Sequence, residues 1–183
     1  MFDATIIPIA SSLALCLAIE TVHNIKVNVK WPNDITISGK KVAGMLVDAN
    51  IQANSIENFV LGVGINFRIN TLQMTKALKN SPNYYGVTSL FTTKDKVTQM
   101  KLFNKFLVEL EQVLDNLTNG WKNEIIKKWS KRTDMFGRHV KINTSKGKIL
   151  GVAKKVDNEG ALIIKTKAVS YTHLTLPTIL LLY

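Results

Sequence analysis

Lys30, Asn33, Asp34, Lys40 and Lys41 stand within VKWPNDITISGKKVAGMLV, residues 29–47, among neighbours that alternate like a buried sheet. Charged groups held that close to core strands usually bind something. A second stretch, FVLGVGINF at residues 59–67, carries one more polar side chain, Asn66. Its glycines, Gly62 and Gly64, are spaced by two and so share one face of a strand. Gly44 removes a side chain from the strand before it. Three glycines on neighbouring strands suggest a flat ligand lying on backbone.

The elements that must hold these residues follow from local rules. Val27–Trp31 reads as a strand stopped by Pro32, which cannot donate to a ladder and biases Trp31 toward an extended conformation. The Pro-Asn-Asp corner leaves Asn33 and Asp34 at a strand end, where loops carry chemistry. Ile35-Thr36-Ile37, the turn pair Ser38-Gly39 and the apolar run Val42–Val47 then make a β-hairpin. Upstream, Ile6–Asn24 reads as a helix, with Ser11 and Ser12 near its start and Ile9, Leu13 and Leu17 at helical spacing. Downstream, Ala49–Asn58 reads as a polar connection, Phe59–Asn66 as a strand, Ser81-Pro82-Asn83 as a turn and Tyr84-Tyr85 as a packing pair. Thr98–Leu117 is predicted to be an amphipathic helix burying Met100, Phe103, Leu107, Leu110, Val113, Leu114 and Leu117. Trp121–Ser130 adds helix, with Trp121, Ile125 and Trp129 on one core-facing stripe.

KWPND, then GKKVAG with Lys41 seven positions after Asp34, then GVGIN, resembles the core signature of the biotin protein ligases, the biotin-[acetyl-CoA-carboxylase] ligases. The blocks agree with that signature in residue type and in internal spacing, and a weaker similarity runs on to about Lys167. The resemblance implies an enzyme that makes biotinyl-5'-adenylate from biotin and MgATP. It then transfers biotin to one lysine of the carrier domain of a biotin-dependent carboxylase. Carried over by motif, Lys41 matches the lysine at the biotin carboxylate and its activated acyl group. Asp34 matches the aspartate at the reacting centre, and Asn66 the asparagine near the nucleotide phosphates and metal. Lys30, Trp31, Asn33, Gly44, Gly62 and Gly64, in the same motifs, are implied to line the substrate and nucleotide site.

The residue types suit that chemistry. Joining a carboxylate to the α-phosphate of ATP brings two anions together, so a fixed cation such as Lys41 is required, and its attraction rises as water is excluded. In the transfer, Asp34 either accepts a proton from the attacking amine or helps to hold Mg2+; both roles stay open. Asn66 can orient a phosphate or a metal-bound water without adding repulsion. Taken singly, Lys41 reads as a solvated hairpin lysine and Asp34 as a turn residue. Their joint spacing reverses that reading.

Composition narrows the class. With 183 residues, 46% of them hydrophobic and 20% charged, the chain suits a soluble globular protein with a sizeable core. Its single cysteine, Cys16, excludes a disulfide framework within the chain and suits a reducing cytoplasm. No histidine or cysteine cluster has zinc-ligand spacing. The net charge of +11 comes mainly from dispersed lysines, which reads as a solvated basic surface favouring ATP and an acidic carrier domain rather than as a nucleic-acid reader. The apolar first helix follows Asp3 with no basic residue before it, so it reads as buried rather than as a signal segment. No membrane partner is implied.

The expected fold is α/β (α+β). A mixed sheet with helices of the biotin/lipoate ligase type occupies residues 1–133, and a small partial SH3-like β-barrel occupies 134–167. The barrel strands are Val140–Asn143, Lys148–Val156 and Ala161–Lys165, separated by turns at Ser145-Lys146-Gly147 and Asp157–Gly160. From Lys131 to Lys167, ten basic residues stand against Asp134, Asp157 and Glu159, which reads as a solvated face beside the nucleotide site. Residues 168–183, AVSYTHLTLPTILLLY, hold no acidic residue, lysine or arginine; they are similar to translated adapter sequence and are read as a foreign tail too short to span a membrane. By the resemblance, the chain begins inside the catalytic domain, downstream of the glycine- and arginine-rich adenylate loop. Some members carry an amino-terminal winged-helix domain, which would make DNA a partner, and some form homodimers through sheet edges. The alternatives are a lipoate or octanoyl transfer enzyme, a carrier- or nucleotide-binding module without turnover, and a biotin-responsive repressor.

Overall fold

The computed structural model describes residues 4–52, 55–81, 84–90, 99–144, 147–166 and 172–174. Its helices are α1 Ile7–His23, α2 Thr71–Leu78, α3 Gln99–Thr118 and α4 Lys122–Ser130. Pro8 starts α1, since its fixed φ suits a first turn whose N–H groups need no helical partner. Ser11 and Ser12, near its start as expected, are buried. Ser12 Oγ donates to the Ile9 carbonyl (3.1 Å) and accepts from the Trp129 indole N–H (2.9 Å), which satisfies a hydroxyl held away from water. The helix ends at Asn24 in the left-handed conformation, its N–H returning to the Glu20 carbonyl. Buried on most of its surface, α1 packs against α3, α4 and the first sheet.

That sheet runs in the order β1 Asn28–Lys30, β2 Asp34–Ile37, β3 Lys40–Gln52, β4 Ser55–Ile65. Its ladders are antiparallel; parallel pairing among the described residues enters as two isolated bridges, Val29 with Thr133 and Lys41 with Val87. Ser38 and Gly39 both take positive φ (50° and 75°), a turn whose twist matches that of the strands it joins. Of the expected polar connection Ala49–Asn58, residues 49–52 and 55–58 instead prolong the two strands, with Asn50 opposite Asn58 and Gln52 opposite Ser55, while Ala53 and Asn54 lie outside the described residues. Polar side chains do not prevent this, because backbone groups make the ladder.

Two apolar stripes compete on α3. The helix buries Leu102, Phe106, Val113 and Leu117 against the core, while Met100, Phe103 and Leu107, expected inside, are exposed. Both sets have helical spacing, and packing on α1 selects one. Trp121 is exposed too, because it precedes α4 rather than lying in line with buried Ile125 and Trp129. Helix α2 has no buried residue, so no apolar period announces it; Asn70 caps it by accepting from the Gln73 N–H (3.0 Å).

The second sheet runs β5 His139–Thr144, β6 Gly147–Val156, β7 Leu162–Lys165, β8 Thr172–Leu174, all antiparallel. Strand β8 lies within the stretch read as foreign and pairs with β7, Leu174 opposite Leu162. Ala153, Val156, Leu162 and Ile164 join the same hydrophobic cluster as α1 and the first sheet. Trp31 ties the sheets together: its indole N–H donates to the Gly160 carbonyl (3.0 Å) and its backbone N–H to the Met135 sulfur (3.2 Å). No helix among the described residues is long and apolar enough to cross a membrane. Of the sequence expectations, Pro82, Asn83, Thr98, Ser145, Lys146, Lys167 and residues 168–171 and 175–183 lie outside the described residues.

Candidate functional site

Four residues stand directly opposite one another across the first sheet, Lys30 to Asp34, Asp34 to Gly44 and Gly44 to Gly64. Opposed residues share a face, so two charged side chains and two glycines form one row. A β-bulge brings Lys41 to it. The pairing of β2 with β3 slips between Ile35 and Thr36, leaving Val42 as the extra residue and Lys41 opposite Thr36. Under strict alternation Lys41 and Gly44, three apart, would lie on opposite faces.

Lys41 Nζ lies 2.5 Å from Asp34 Oδ1. Gly44 makes room for the pair: a β-carbon there would sit 2.8 Å from that Nζ and 3.0 Å from that oxygen. The close approach to backbone that Gly44 was expected to offer a ligand is therefore occupied by the protein's own ion pair. Gly62 and Gly64 differ. Both are exposed, and β-carbons there would meet nothing closer than 3.8 Å, so the floor beyond the ion pair is open.

The other oxygen of Asp34 accepts from the Tyr85 hydroxyl at 2.8 Å. The Tyr85 ring in turn carries the Lys30 ammonium, 2.9 Å from its centroid. Burial, and then the Asp34 charge, push the Tyr85 phenol above its ordinary range, so it remains a donor. Lys30 is drawn down to about 8, chiefly by burial; Lys41 pushes the same way, while Asp34 and Asp134 oppose it. Two lysines around one carboxylate leave the cluster net positive, which suits an anion.

The backbone of Lys41 is fixed as firmly as its side chain. Its N–H donates to the Gly86 carbonyl (3.0 Å), and its carbonyl accepts from the Thr88 N–H (2.9 Å). Asn66 braces the bulge from the other side: its N–H donates to the Val42 carbonyl (2.8 Å) and its side-chain amide to the Lys41 carbonyl (3.2 Å). The Asn66 carbonyl accepts from the Leu90 N–H at 2.8 Å. Asn33 also turns inward, its amide donating to the Met45 carbonyl while its own carbonyl accepts from the Met45 N–H.

Lys30, Asp34, Lys41 and Gly44 thus come together, Gly62 and Gly64 extend their face, and Asn33 and Asn66 brace them. Trp31 is buried and turned to the second sheet. Tyr85 is the member that sequence reasoning missed. It does not pair with Tyr84, which bonds Thr75 Oγ1 at 3.0 Å, and it reaches Asp34 across 51 positions of chain. Gly86, at φ 105°, is the local cue that the chain turns sharply there. Both Asp34 oxygens are engaged, Oδ1 by Lys41 and Oδ2 by Tyr85, and the Asn66 amide nitrogen donates to backbone. Among the described residues no group of three or more His, Cys, Asp or Glu is placed to hold a metal ion.

Residues 1–66 match the biotin/lipoate A/B protein ligase family, and residues 135–178 match the biotin protein ligase C terminal domain. The chain belongs to the biotin protein ligase family. The described row of the site, with Lys41 and Asn66, falls inside the first match, whereas Tyr85 lies outside both. The bifunctional ligase/repressor BirA of Bacillus subtilis is 27% identical over 158 residues, 85% of this chain and 47% of that protein. The biotin–[acetyl-CoA-carboxylase] ligase of Paracoccus denitrificans is 24% identical over 151 residues, 76% of this chain and 57% of that one. The chain spans about half the length of these relatives. Its fold is that of the biotin protein ligase of Aquifex aeolicus, with a TM-score of 0.76 at 21% identity over 94% of this chain and 72% of that chain. The same ligase in complex with biotin and ATP gives 0.75 at 22% identity, over 95% and 69%. In this ligase family the carboxy-terminal domain is SH3-like, and β5–β8 fall within that match.

Proposed function

We propose that this chain carries the adenylate-forming centre of a biotin ligase, which joins biotin to ATP as biotinyl-5'-adenylate and passes biotin to a carrier lysine. The reading rests on the Lys41 ammonium, held 2.5 Å from Asp34 beside the open floor at Gly62 and Gly64. In the first step the biotin carboxylate attacks the α-phosphorus, an acyl–phosphate bond forms and pyrophosphate leaves. Lys41, with Lys30 nearby, offsets the charge of the two anions brought together. Asp34 keeps the Lys41 ammonium in place until those anions engage it. In the second step the carrier amine attacks the acyl carbon and AMP leaves. Asp34, once released by Lys41, accepts the amine proton. Lys30 and Lys41 are the protein's own cationic contribution to neutralising the phosphates.

Biotin is favoured over lipoate by the second family match, which is to the biotin ligase C terminal domain. A biotin carrier domain of a carboxylase is the acceptor that the name of the Paracoccus relative supports, and the single cysteine, free and buried, suits a reducing cytoplasmic setting. A second, repressor role is stated by name for the Bacillus relative.

The test is biotin-dependent exchange of pyrophosphate into ATP by the 183-residue chain and its Lys41→Ala variant. Exchange lowered about 100-fold or more in the variant supports the reading. Equal exchange removes Lys41 from the reaction. Biotin binding without exchange in either chain favours the second reading, a binding module without turnover.

A further inference from the structure

Lys30 and Lys41 are like charges on one face of a sheet, and each is fixed by a different device. Asp34 takes the Lys41 ammonium on Oδ1 and the Tyr85 hydroxyl on Oδ2. A carboxylate held at one oxygen can swing about its Cβ–Cγ bond; held at both, it keeps Oδ1 toward Lys41. The Tyr85 ring carries the Lys30 ammonium on its face. Tyr85 cannot drift, because the residues after it are bonded to the bulge and its brace: Gly86 and Thr88 to Lys41, and Leu90 to Asn66. Its partners Lys30 and Asp34, and the Lys41 that Asp34 holds, lie within the first family match, and Tyr85 does not.

Granted the ligase reading above, we propose that Tyr85 is a positioning residue of the site: its hydroxyl fixes the Asp34 carboxylate and its ring fixes the Lys30 ammonium. The two lysines are thereby presented at opposite ends of one hydrogen bond to a carboxylate and a phosphate. Tyr85 does no bond-making itself; it acts through Asp34 and Lys30.

Acetic anhydride labelling of the ligand-free 183-residue chain, quantified lysine by lysine by mass spectrometry, reads this arrangement without turnover. Tyr85→Phe keeps the ring and removes the hydroxyl, so Lys41 labelling rises severalfold while Lys30 is unchanged. Tyr85→Leu removes both, and Lys30 then labels with the pH profile of an ordinary exposed lysine. Lys154 and Lys165, both exposed, are internal references that stay constant. Lys41 labelling unchanged by Tyr85→Phe overturns the proposal, as does a rise shared by the reference lysines, which marks general loosening. In pyrophosphate exchange, Tyr85→Phe lowers kcat about tenfold and leaves the KM for biotin in place. A kcat equal to the parent's, where Lys41→Ala abolishes exchange, overturns the role of Tyr85 and leaves the ligase reading standing. Exchange indifferent to Lys41→Ala, with labelling as expected, fails the ligase reading and retains Tyr85 as the clamp of the cluster.

Discussion

The two sheets hold their cations in opposite ways. On the second, Arg138, Lys141, Lys148, Lys154, Lys155 and Lys165 are all exposed, and the pair of Arg138 with Asp134 is itself open to solvent. On the first, Lys30, Asp34 and Lys41 are half-buried and engaged with one another or with Tyr85. Exposed charges and pairs contribute little, since water and salt screen them. Charges that water reaches only partly, each with one fixed partner, exert a directed pull. Counting basic residues points to the second sheet; asking which of them have a fixed direction points to the first.

Substitutions can break or sharpen that contrast. Lys41→Ala is expected to have the largest effect, the loss of about 100-fold or more in exchange described above. Gly44→Ala should follow. Its new β-carbon meets the end of the flexible Lys41 side chain, so the fold survives while the ion pair is displaced, and exchange falls about tenfold. Gly64→Ala is the control, because it displaces nothing in the protein; it is expected to raise KM for biotin or ATP and leave Lys41 labelling unaltered. If both glycine variants lower kcat alike, the distinction between an occupied and an open floor is lost.

Trp31→Phe tests the join between the sheets. It leaves the Gly160 carbonyl without its indole donor and should cost about 1–2 kcal/mol in urea unfolding, with exchange kinetics little changed at temperatures where the chain is folded. Lys30 should lose its proton near pH 8, followed by NMR of its side chain. Between there and the ordinary lysine value of 10.5 the unfolded chain holds more protons, so this group makes stability rise with pH across that window. Anion binding that relies on Lys30 weakens over the same range. On the second sheet, Lys148→Ala with Lys165→Ala should change exchange by less than about twofold and stability by roughly 0.5 kcal/mol or less. A larger loss of exchange would mean that the solvated face takes part after all.

Local features were legible in the sequence. The Ser38-Gly39 hairpin, the strand ended by Pro32 and the helix from Ile7 follow from turn chemistry and periodicity, and the spacing of Asp34 and Lys41 marked them as members of one site, though not as an ion pair. The bulge was not legible, because an extra residue in one strand exists only relative to the strand it pairs with. Tyr85 was hidden by chain distance, and α2 by having nothing buried. On α3 the sequence offers two stripes, and the choice between them is made by α1, a neighbour that no local window contains. Asn33 and Asn66 were found by motif but turn inward to backbone, which residue type alone does not reveal.

The bonds from Gly86, Thr88 and Leu90 to Lys41 and Asn66 make the segment that carries Tyr85 and the bulge that carries Lys41 a single opening unit. Neither can detach without the other, so the amide protons of Lys41, Asn66, Thr88 and Leu90 should exchange with deuterium at one common rate. The active arrangement is then either whole or absent, and the fraction of molecules in which it is whole can be read from four backbone amides without any substrate.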